Sequence, residues 1–476
     1  MIVRKIAQNS SAGEPVPSHP PSLGSEEKSL GKRVYLETLG CAKNRVDSEI
    51  MVAALERRNY RMSEDPAQAE IIIVNTCAFL TAASEESIER ILALSDYKSS
   101  GACEKLICAG CLSERYREGL LAEIPELDAL LGSSDFQDIP LLLDDLERGV
   151  PNSRVRLSRR PHYAQFENQE RRQTTPAHFV YTKIAEGCSN MCSFCNIPSL
   201  RGYFSSRSIT DVVREVRGHV ERGVREINLI SQDTSSYGVD RDDGADLEGL
   251  LRAIDAVSGN YWVRLFYAYP NTFGDGPLAA LAESEHVVPY LDMPFQHISD
   301  SVLAAMNRRI SEREIRAKLE VLRARLPGLA LRTTFITGFP TESEADFERL
   351  LGFVKEGWFD HVGVFTYSHE DNITSRKFGD PVPNRVKRLR RQALMEAQRE
   401  VSAARNKARV GEVLPVLVEG YSGETDLLLQ GRAAFQGPEV DGVIYINEGV
   451  ATAGDFHAVE ITESHDYDLV GKIVPQ

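Results

Sequence analysis

The chain has 476 residues, of which 42% are hydrophobic and 26% are charged, and its formal net charge is −15. This composition favours a soluble globular protein of about three domains. No apolar run approaches the roughly 18–20 residues that span a bilayer, which excludes a membrane-spanning protein and a membrane partner. Residues 1–32 lack the apolar core of a signal peptide and are rich in Ser, Pro and Gly. They are therefore predicted to form a disordered tail, and the protein is predicted to be cytoplasmic.

The first folded region is predicted to cover residues 33–150. Three runs, "RVYLETLGC", "EIIIVNTCAF" and "EKLICAGCL", have the Val, Ile and Leu content of short buried strands, and a helix-like stretch follows each. Strands that alternate with helices predict a parallel α/β domain. Residues 151–176 lack periodicity and are rich in Arg, Gln and Pro, which indicates a linker.

The central region, residues 177–408, is predicted to be a partial (β/α)6 barrel. Its six strand candidates are "FVYTKIAEG", "EINLISQDT", "YWVRLFYAY", "VVPYLDMPFQ", "LALRTTFITGF" and "HVGVFTYS". The chemistry of such barrels is at the carboxyl ends of the strands. There the sequence has polar or special residues, among them Glu186, Gln232, Asp233, Tyr269, Gln296, His297 and Gly338.

Residues 411–476 have short apolar runs between Gly-rich turns, which predicts a small antiparallel β-barrel. This segment has twelve acidic residues and only Arg432 and Lys472 as basic ones, so it contributes −10 of the net charge. An acidic module repels phosphate and favours a basic partner, although a merely solvated surface has the same composition.

Three cysteines, Cys188, Cys192 and Cys195, lie within eight residues in "EGCSNMCSFCNIP", directly after the first barrel strand. Soft thiolates bind zinc, copper(I) or iron–sulfur clusters, and a structural zinc site needs a fourth ligand close by. Three thiolates suit a 4Fe-4S cluster with one iron left open. Buried structural thiols are disfavoured because the loop is polar.

A second set, Cys41, Cys77 and Cys111, is dispersed in the sequence, yet each residue follows a predicted strand and precedes a helix. Since the carboxyl ends of parallel strands share one edge of a sheet, the three thiols are expected to converge there. Cys103 and Cys108 do not follow this rule. A redox pair in "CAGC" is the alternative for Cys108, but its apolar surroundings favour a buried thiol.

The CxxxCxxC loop after a first barrel strand resembles the radical S-adenosylmethionine (SAM) superfamily, which also has an aromatic residue at the position of Phe194. The resemblance implies that SAM chelates the open iron and is cleaved, after one electron arrives, to a 5′-deoxyadenosyl radical. The protein then supplies ligation, orientation and exclusion of water.

Together with the second set of cysteines, the motifs "LGCAKNRVDSE", "NTCAF", "GCSNMCSFCNIPSLRGYFSSR", "MPFQH" and "TTFITGFPTESEADF" resemble the methylthiotransferase family. The resemblance implies a transferase with two 4Fe-4S clusters, in which all six cysteines named above are metal ligands and SAM is both radical source and methyl donor. It also implies an electron donor such as flavodoxin or ferredoxin, and a sulfide source.

This family has two main branches, one acting on a tRNA adenosine and one (RimO-type) on the β-carbon of an aspartate of small-subunit ribosomal protein twelve. "ISQDTSSYG" and the terminal "FQGPEVDGVIYI" resemble the ribosomal branch. The acidic C-terminal module, which would be a TRAM-like docking domain, suits a basic ribosomal protein better than tRNA. The alternatives are a tRNA methylthiotransferase and a non-catalytic iron–sulfur electron carrier, although a carrier predicts four-cysteine ligation.

Several further residues have two interpretations each. Phe194, Gln232, Asp233, Arg332 and Gly338 are predicted to contact SAM, and for the last four a structural role in loops is the alternative. His297 is a candidate proton donor or a structural cap. Arg201 and Arg207 would pair with the SAM carboxylate or with neighbouring acids. No catalytic acid or base is predicted.

Overall fold

The computed structural model describes residues 31–158, 167 and 169–475, in two compact units. Most of the predicted tail, residues 1–30, lies outside the described residues, as does part of the predicted linker. The described part of the first unit comprises residues 31–158, 169–174 and 196–202, and that of the second comprises residues 167, 175–195 and 203–475. No helix in these described ranges is long and apolar enough to cross a membrane.

The N-terminal unit contains a six-stranded parallel sheet with the order β2-β1-β3-β4-β5-β6. Its strands are β1 (Arg33–Thr38), β2 (Arg61–Met62), β3 (Ile71–Thr76), β4 (Lys105–Gly110), β5 (Ala129–Leu131) and β6 (Val155–Arg156). All six residues of β3 are buried, because a strand inside a parallel sheet is covered on both faces. The prediction of a parallel α/β domain is confirmed.

The helices of this unit pack against the strands of the sheet and against one another. They are α1 (Ala42–Glu56), α2 (Thr81–Ser95), α3 (Tyr97–Ser100), α4 (Cys111–Tyr116), α5 (Glu118–Glu123), α6 (Ile139–Glu147) and α7 (Ile197–Arg201). One helix, α7, is distant in sequence: it follows Cys195, yet its Leu200 is part of the same apolar core as Ile88 and Leu112.

The second unit contains six parallel strands, each paired with its neighbour in the chain, in a sheet that stays open. They are β7 (Phe179–Lys183), β10 (Glu226–Ile230), β11 (Trp262–Leu265), β12 (Val287–Asp292), β13 (Ala330–Thr337) and β14 (His361–Thr366), while β8 (Ala185–Glu186) and β9 (Ser205–Ser206) form a small antiparallel pair. All six predicted strands are present, and the partial barrel is confirmed.

Seven helices, counted over the described residues, pack on the outside of these strands. They are α8 (Ile209–Glu221), α9 (Leu247–Asp255), α10 (Asp275–Glu283), α11 (Asp300–Ala305), α12 (Glu312–Arg325), α13 (Glu344–Lys355) and α14 (Asn384–Ala408). Alternate strand residues such as Leu229, Leu265 and Phe335 join this apolar core. The intervening residues belong to the other face of the sheet, and they include the buried polar residues Glu226 and Arg264.

The C-terminal module is a closed five-stranded barrel within the second unit, with the order β15-β16-β17-β19-β18. Its strands are β15 (Val413–Ser422), β16 (Thr425–Ala433), β17 (Ile444–Glu448), β18 (Phe456–Ser464) and β19 (Leu469–Ile473). The expectation of a wholly antiparallel barrel is wrong in one place, because β17 and β19 pair in parallel. This pair closes the barrel, which removes both exposed edges.

Candidate active site

The loop of Cys188, Cys192 and Cys195 begins two residues after β8, at the carboxyl ends of the parallel strands. The loop is held in place through Ser193. Its N–H donates to the Met306 carbonyl at 3.0 Å, its hydroxyl donates to the Ala305 carbonyl at 2.7 Å, and its own carbonyl accepts from the N–H of Ser375 at 2.7 Å. The three thiols are therefore fixed by backbone bonds to other barrel loops.

Two polar side chains donate to the sulfurs of this loop. Asn190 Nδ2 lies 3.5 Å from Cys188 Sγ, and Arg308 Nη1 lies 3.5 Å from Cys192 Sγ. Burial raises the pKa of the Cys188 thiol to about 11, with Asp233 adding to the effect. Burial therefore disfavours the free thiolate, and a metal bound to the sulfur would compensate its charge.

The donor set fits an iron–sulfur cluster by its chemistry. As they stand, no three His, Cys, Asp or Glu side chains of the described residues are close enough together to hold a single metal ion. The loop nevertheless offers three thiols, all partly exposed, with a buried cation beside one of them. Soft sulfur donors on one loop suit a cluster better than a hard cation.

Two of the predicted SAM contacts follow β10 directly and lie beside the cysteine loop. Asp233 accepts from Asn190 Nδ2 at 2.6 Å, and from the hydroxyls of Ser235 and Ser236 at 2.7 Å each. Gln232 donates to Glu186, the residue two positions before Cys188. The Oε1 atom of Gln232 is buried and has no hydrogen-bond partner in the described residues. It is thus an available acceptor at the carboxyl ends of the strands.

Gly338 and Phe194 lie on a neighbouring part of the same rim. Gly338 follows β13 with a φ of +74°, and its N–H donates to Glu342 at 2.8 Å. Phe194 is half-buried and packs on the apolar cluster that contains Phe339 and Tyr367. Phe339, the residue after Gly338, therefore shares an apolar cluster with Phe194, which places the cysteine loop against the end of β13.

Arg332 occupies a different place. It is the third residue of β13, and its guanidinium forms ion pairs with Asp292 at 3.3 Å and with Asp441 of the C-terminal barrel at 3.4 Å. These charges keep the pKa of Arg332 raised despite its burial. Both of these acids lie outside the cysteine loop. Through Asp441, these ion pairs connect the parallel barrel with the C-terminal barrel.

His297, Arg201 and Arg207 have structural partners. His297 is fully buried, and its Nδ1 accepts from the N–H of Ser299 at 3.0 Å, as a cap does. Arg207 pairs with Asp211 at 2.7 Å in the second unit. Arg201 pairs with Asp47 at 2.7 Å in the first unit. Each arginine thus has a neighbouring acid, which is one of the two predicted interpretations.

The second set of cysteines lies where the sequence predicts, at three strand–helix junctions of the N-terminal unit. Cys41 precedes α1, Cys77 follows β3, and Cys111 begins α4. The charges of Cys41 and Cys77 add to the burial that raises the pKa of the Cys111 thiol to about 12. Gly40 shows the close approach directly, since a Cβ on it would lie 2.6 Å from the Cys77 Cβ.

A buried arginine accompanies this set as well. Arg201 is 3% exposed and donates to Asp47 and to Asn44. A hydrogen bond and the charge of Arg201 counteract the burial that raises the pKa of Cys111. Converging thiols near a guanidinium fit a negatively charged cluster. Sequence spacing alone does not identify Arg308 as a neighbour of Cys192, 116 positions away, or Arg201 as a neighbour of Cys111, because only the fold brings these segments together.

The comparisons with known proteins agree with this arrangement. Residues 33–132 match "Uncharacterized protein family UPF0004", residues 182–354 match the radical SAM superfamily, and residues 410–474 match the TRAM domain. A ribosomal protein uS12 methylthiotransferase RimO of Syntrophotalea carbinolica is 48% identical over 95% of this chain and 99% of its own length. Its counterpart from Geotalea uraniireducens is 46% identical over 94% and 99%, respectively.

The chain belongs to the RimO family of methylthiotransferases. The predicted family, its ribosomal branch and the transferase class are thereby confirmed. A solved structure of the radical SAM methyltransferase TsrM from Kitasatospora setae has a TM-score of 0.55 to the model at 13% identity, covering 70% of this chain and 73% of that one. At this identity the likeness supports the fold alone.

In this member of the RimO family, several acidic side chains of the TRAM barrel form ion pairs or hydrogen bonds within the second unit. Glu419 binds Arg432 at 2.7 Å, Asp441 accepts from Tyr290 at 2.8 Å, and Glu439 accepts from Tyr181 at 2.8 Å. Other acids of the barrel are exposed to solvent: Glu412, Glu424, Asp426, Glu448, Asp455, Glu463 and Asp466. Three of these also pair with arginines, Glu412 with Arg409, Asp455 with Arg225 and Asp466 with Arg399, so the negative charge of the outer surface comes mainly from the other four.

The remaining two cysteines are buried in this RimO-family chain. Cys108 lies inside β4, where it is in contact with Ser113 and Thr76, and burial raises its pKa to about 11. Cys103 is buried and its pKa is also raised to about 11. A redox pair needs an accessible thiol of lowered pKa. These properties favour the predicted role of Cys108 as a small apolar residue.

Proposed function

We propose that this chain adds a methylthio group to the β-carbon of an aspartate of small-subunit ribosomal protein uS12. The observation that carries the proposal is the presence of two sets of three cysteines, each at the carboxyl ends of parallel strands. The identity of the substrate is inferred from the relatives in the RimO family, which are named ribosomal protein uS12 methylthiotransferases. A set of three ligands leaves one iron of a 4Fe-4S cluster open in each unit.

Cys188, Cys192 and Cys195 are the proposed ligands of the radical SAM cluster, and Cys41, Cys77 and Cys111 those of the second cluster. When bound, these clusters together with SAM supply a carbon-centred radical, a methyl group and the transferred sulfur. The contribution of the chain is ligation and placement. Backbone bonds at Ser193 fix the first loop, and the strand–helix junctions of the N-terminal unit fix the second set.

Four residues of the barrel rim are proposed to hold SAM: Phe194, Gln232, Asp233 and Gly338. Gln232 offers a buried unpartnered oxygen, and Asp233 is aligned by two hydroxyls and an amide. An acceptor pair of this kind suits the amino and hydroxyl donors of SAM. Arg332 stays a proposed SAM contact, and its pairing with Asp292 and Asp441 supports the alternative of a structural role between the two barrels of the second unit.

The TRAM barrel is proposed as the docking module for uS12. Ribosomal proteins are basic, and complementary charge accelerates and orients association with a partner. The exposed acids of the barrel supply that charge. The proposal also includes a cytoplasmic location, an electron donor such as flavodoxin or ferredoxin, and a sulfide source that renews the transferred sulfur.

The proposal is tested by anaerobic reconstitution with iron and sulfide, followed by addition of SAM and a reductant. Purified uS12 and unmodified tRNA are offered separately, and each is followed by mass spectrometry. The expected result is a methylthio gain on one aspartate of uS12 and none on tRNA. Cys188→Ala and Cys77→Ala should abolish the gain, whereas Cys103→Ala, a matched change at a buried cysteine outside both sets, should preserve it.

A gain on tRNA alone would contradict the proposed substrate while leaving the chemistry intact. Iron content separates the assignments of ligands: each cysteine set, replaced entirely by alanine, should remove about half of the bound iron. Retention of full iron content after replacement of either set would contradict the ligand assignment itself.

A further inference from the structure

Arg308 is a buried cation beside the cysteine loop of the second unit. It follows α11 and is 4% exposed. Nη1 donates to Cys192 Sγ at 3.5 Å, Nη2 donates to the Pro294 carbonyl, and the guanidinium carbon lies 4.2 Å from the centre of the Tyr269 ring. Its Nε is buried and has no hydrogen-bond partner among the described residues.

The charge of Arg308 has no carboxylate partner in the part of the chain that the structure describes. Across the described ranges it forms no ion pair with any Asp or Glu, whereas other buried arginines of the same unit do. Arg264 pairs with Glu226 at 2.8 Å, and Arg207 pairs with Asp211 at 2.7 Å. A guanidinium stays charged in proteins, and burying it unpaired is costly. Arg308 donates a hydrogen bond to the sulfur of Cys192. This sulfur is negatively charged when the cysteine is a metal ligand.

We propose that Arg308 is a positioning residue that stabilises the thiolate of Cys192 and makes the cluster on Cys188, Cys192 and Cys195 easier to reduce. This inference rests on the proposed function, because it takes these three cysteines as cluster ligands. Hydrogen bonds to the sulfurs and nearby positive charge stabilise the more negative, reduced state of a cluster. Since SAM chemistry begins with an electron on this cluster, Arg308 would act on the first step without contacting the substrate.

A purely structural role makes a different prediction. In that case Arg308 serves only to bind the Pro294 carbonyl and to stack on Tyr269, and its charge is irrelevant to the cluster. Arg308→Lys retains the charge but loses the planar fork. Arg308→Gln loses the charge but retains a donor amide. The two variants therefore separate charge from packing.

The test uses the full-length chain with Cys41, Cys77 and Cys111 replaced by alanine, so that one cluster remains. Its reduction is followed by electron paramagnetic resonance in a potential titration without SAM. Arg308→Gln should shift the reduction equilibrium toward the oxidised cluster by about tenfold, or about 59 mV for one electron. Arg308→Lys should stay near the parent potential. Arg309→Gln, the same change at the exposed neighbouring residue, should have no effect.

A parent-like potential in Arg308→Gln with full iron content would overturn the inference. If Arg308→Gln fails to hold iron, the lysine variant decides. Retained iron and a parent-like potential in Arg308→Lys support the role of charge, and loss of iron in both variants assigns Arg308 to packing and overturns it. The protein that lacks Cys41, Cys77 and Cys111 but retains Arg308 must itself take up a cluster. If it takes up none, the proposed ligand assignment is wrong, and this inference is wrong with it.

Discussion

Arg432 of the C-terminal barrel and Glu226 of the parallel barrel form an ion pair in which both side chains are at most 1% exposed. Glu226 also accepts from Arg264 at 2.8 Å. Burial opposes ionisation of Glu226, but the charges of Arg432 and Arg264 outweigh it and lower the pKa of the carboxyl. The proposed docking module is thus tied to the first residue of β10, which gives it a fixed position relative to the radical SAM strands.

Glu226→Gln tests this connection. The substitution keeps the shape of the side chain but removes the carboxylate that pairs with the buried Arg264, and it leaves Arg432 with Glu419 as its partner. Removing one partner of a buried pair costs about 3–5 kcal/mol, so the free energy of unfolding should fall by that order in urea titration. Glu463→Gln, an exposed acid on β18, should change it by less than about 0.5 kcal/mol. Equal effects of the two substitutions would contradict the role of the pair.

The environment of Glu419 predicts that the free energy of unfolding decreases at acidic pH. Burial raises the pKa of Glu419, but the His178 imidazole, whose Nε2 lies 3.4 Å from the carboxylate, and the charge of Arg432 lower it to about 2, from an ordinary value of 4.5. A carboxyl with a lowered folded-state pKa stabilises the fold above its unfolded pKa, and this stabilisation is lost as the pH falls from about 4.5 toward 2. Glu419→Gln should therefore be less stable than the parent at pH 7 by about 2 kcal/mol.

The measurement is the free energy of unfolding of both proteins at several pH values. The difference between them should shrink as the pH falls below about 4.5, since protonation removes the charge from the parent as well. Asp426→Asn, at an exposed acid of the same barrel, is the control and should run parallel to the parent. A constant difference between Glu419→Gln and the parent across the range would contradict the coupling with Arg432 and His178.

Most of the fold could be predicted because buried parallel strands leave a strong apolar signal. The six strands of the partial barrel and β1, β3 and β4 all lie within predicted runs. The strands β2, β5 and β6 have only two or three residues, too few for a periodic pattern. The parallel pairing of β17 with β19 was also missed, since alternation in sequence does not specify the direction of a partner.

The sequence could predict those parts of the candidate site whose residues are neighbours in the chain or follow predicted strands. Cys188, Cys192 and Cys195 share one loop, and the junction rule located the second set. The arginines beside the sulfurs could not be found in this way. Arg308 contacts a residue 116 positions away, and Arg201 contacts one 154 positions away. Only the fold determines these neighbours, and the same holds for the pairing of Arg332 with Asp441.

Gly40→Ala should remove the second cluster while sparing the first. Gly40 has a φ of +93°, and a Cβ on it would lie 2.6 Å from the Cys77 Cβ and 3.1 Å from its Sγ. An alanine must therefore displace the thiol in addition to adopting a strained backbone. The bound iron of the reconstituted protein should fall by about half.

Gly149→Ala is the matched control for that substitution. Gly149 also has a positive φ, +65°, but a Cβ there meets nothing within 4 Å. Both variants share the backbone cost of about 1 kcal/mol, so only Gly40→Ala should lose iron. Equal iron content in the two variants would mean that Cys77 does not need its present position to bind the cluster.

Gly338→Ala should weaken SAM binding through the barrel rim. At a φ of +74°, an added Cβ would lie 2.4 Å from Lys387 Cγ, and Lys387 is itself fixed by Asp380 at 2.5 Å and by the Tyr367 carbonyl at 3.1 Å. The loop after β13 must therefore move, and with it the packed group that contains Phe339 and Phe194. We expect a loss of SAM affinity of tenfold or more, which corresponds to about 1.4 kcal/mol.

Equilibrium binding of SAM to the reconstituted protein, without reductant, measures this loss apart from turnover. Gly379→Ala separates packing from backbone strain, because Gly379 has a φ of +70° but open space around its Cβ position. Unchanged affinity in Gly379→Ala and reduced affinity in Gly338→Ala would support the rim as the binding surface. If Gly338→Ala binds SAM as tightly as the parent while its unfolding free energy falls, Gly338 serves only the packing of α14 against the barrel, and its proposed contact with SAM is wrong.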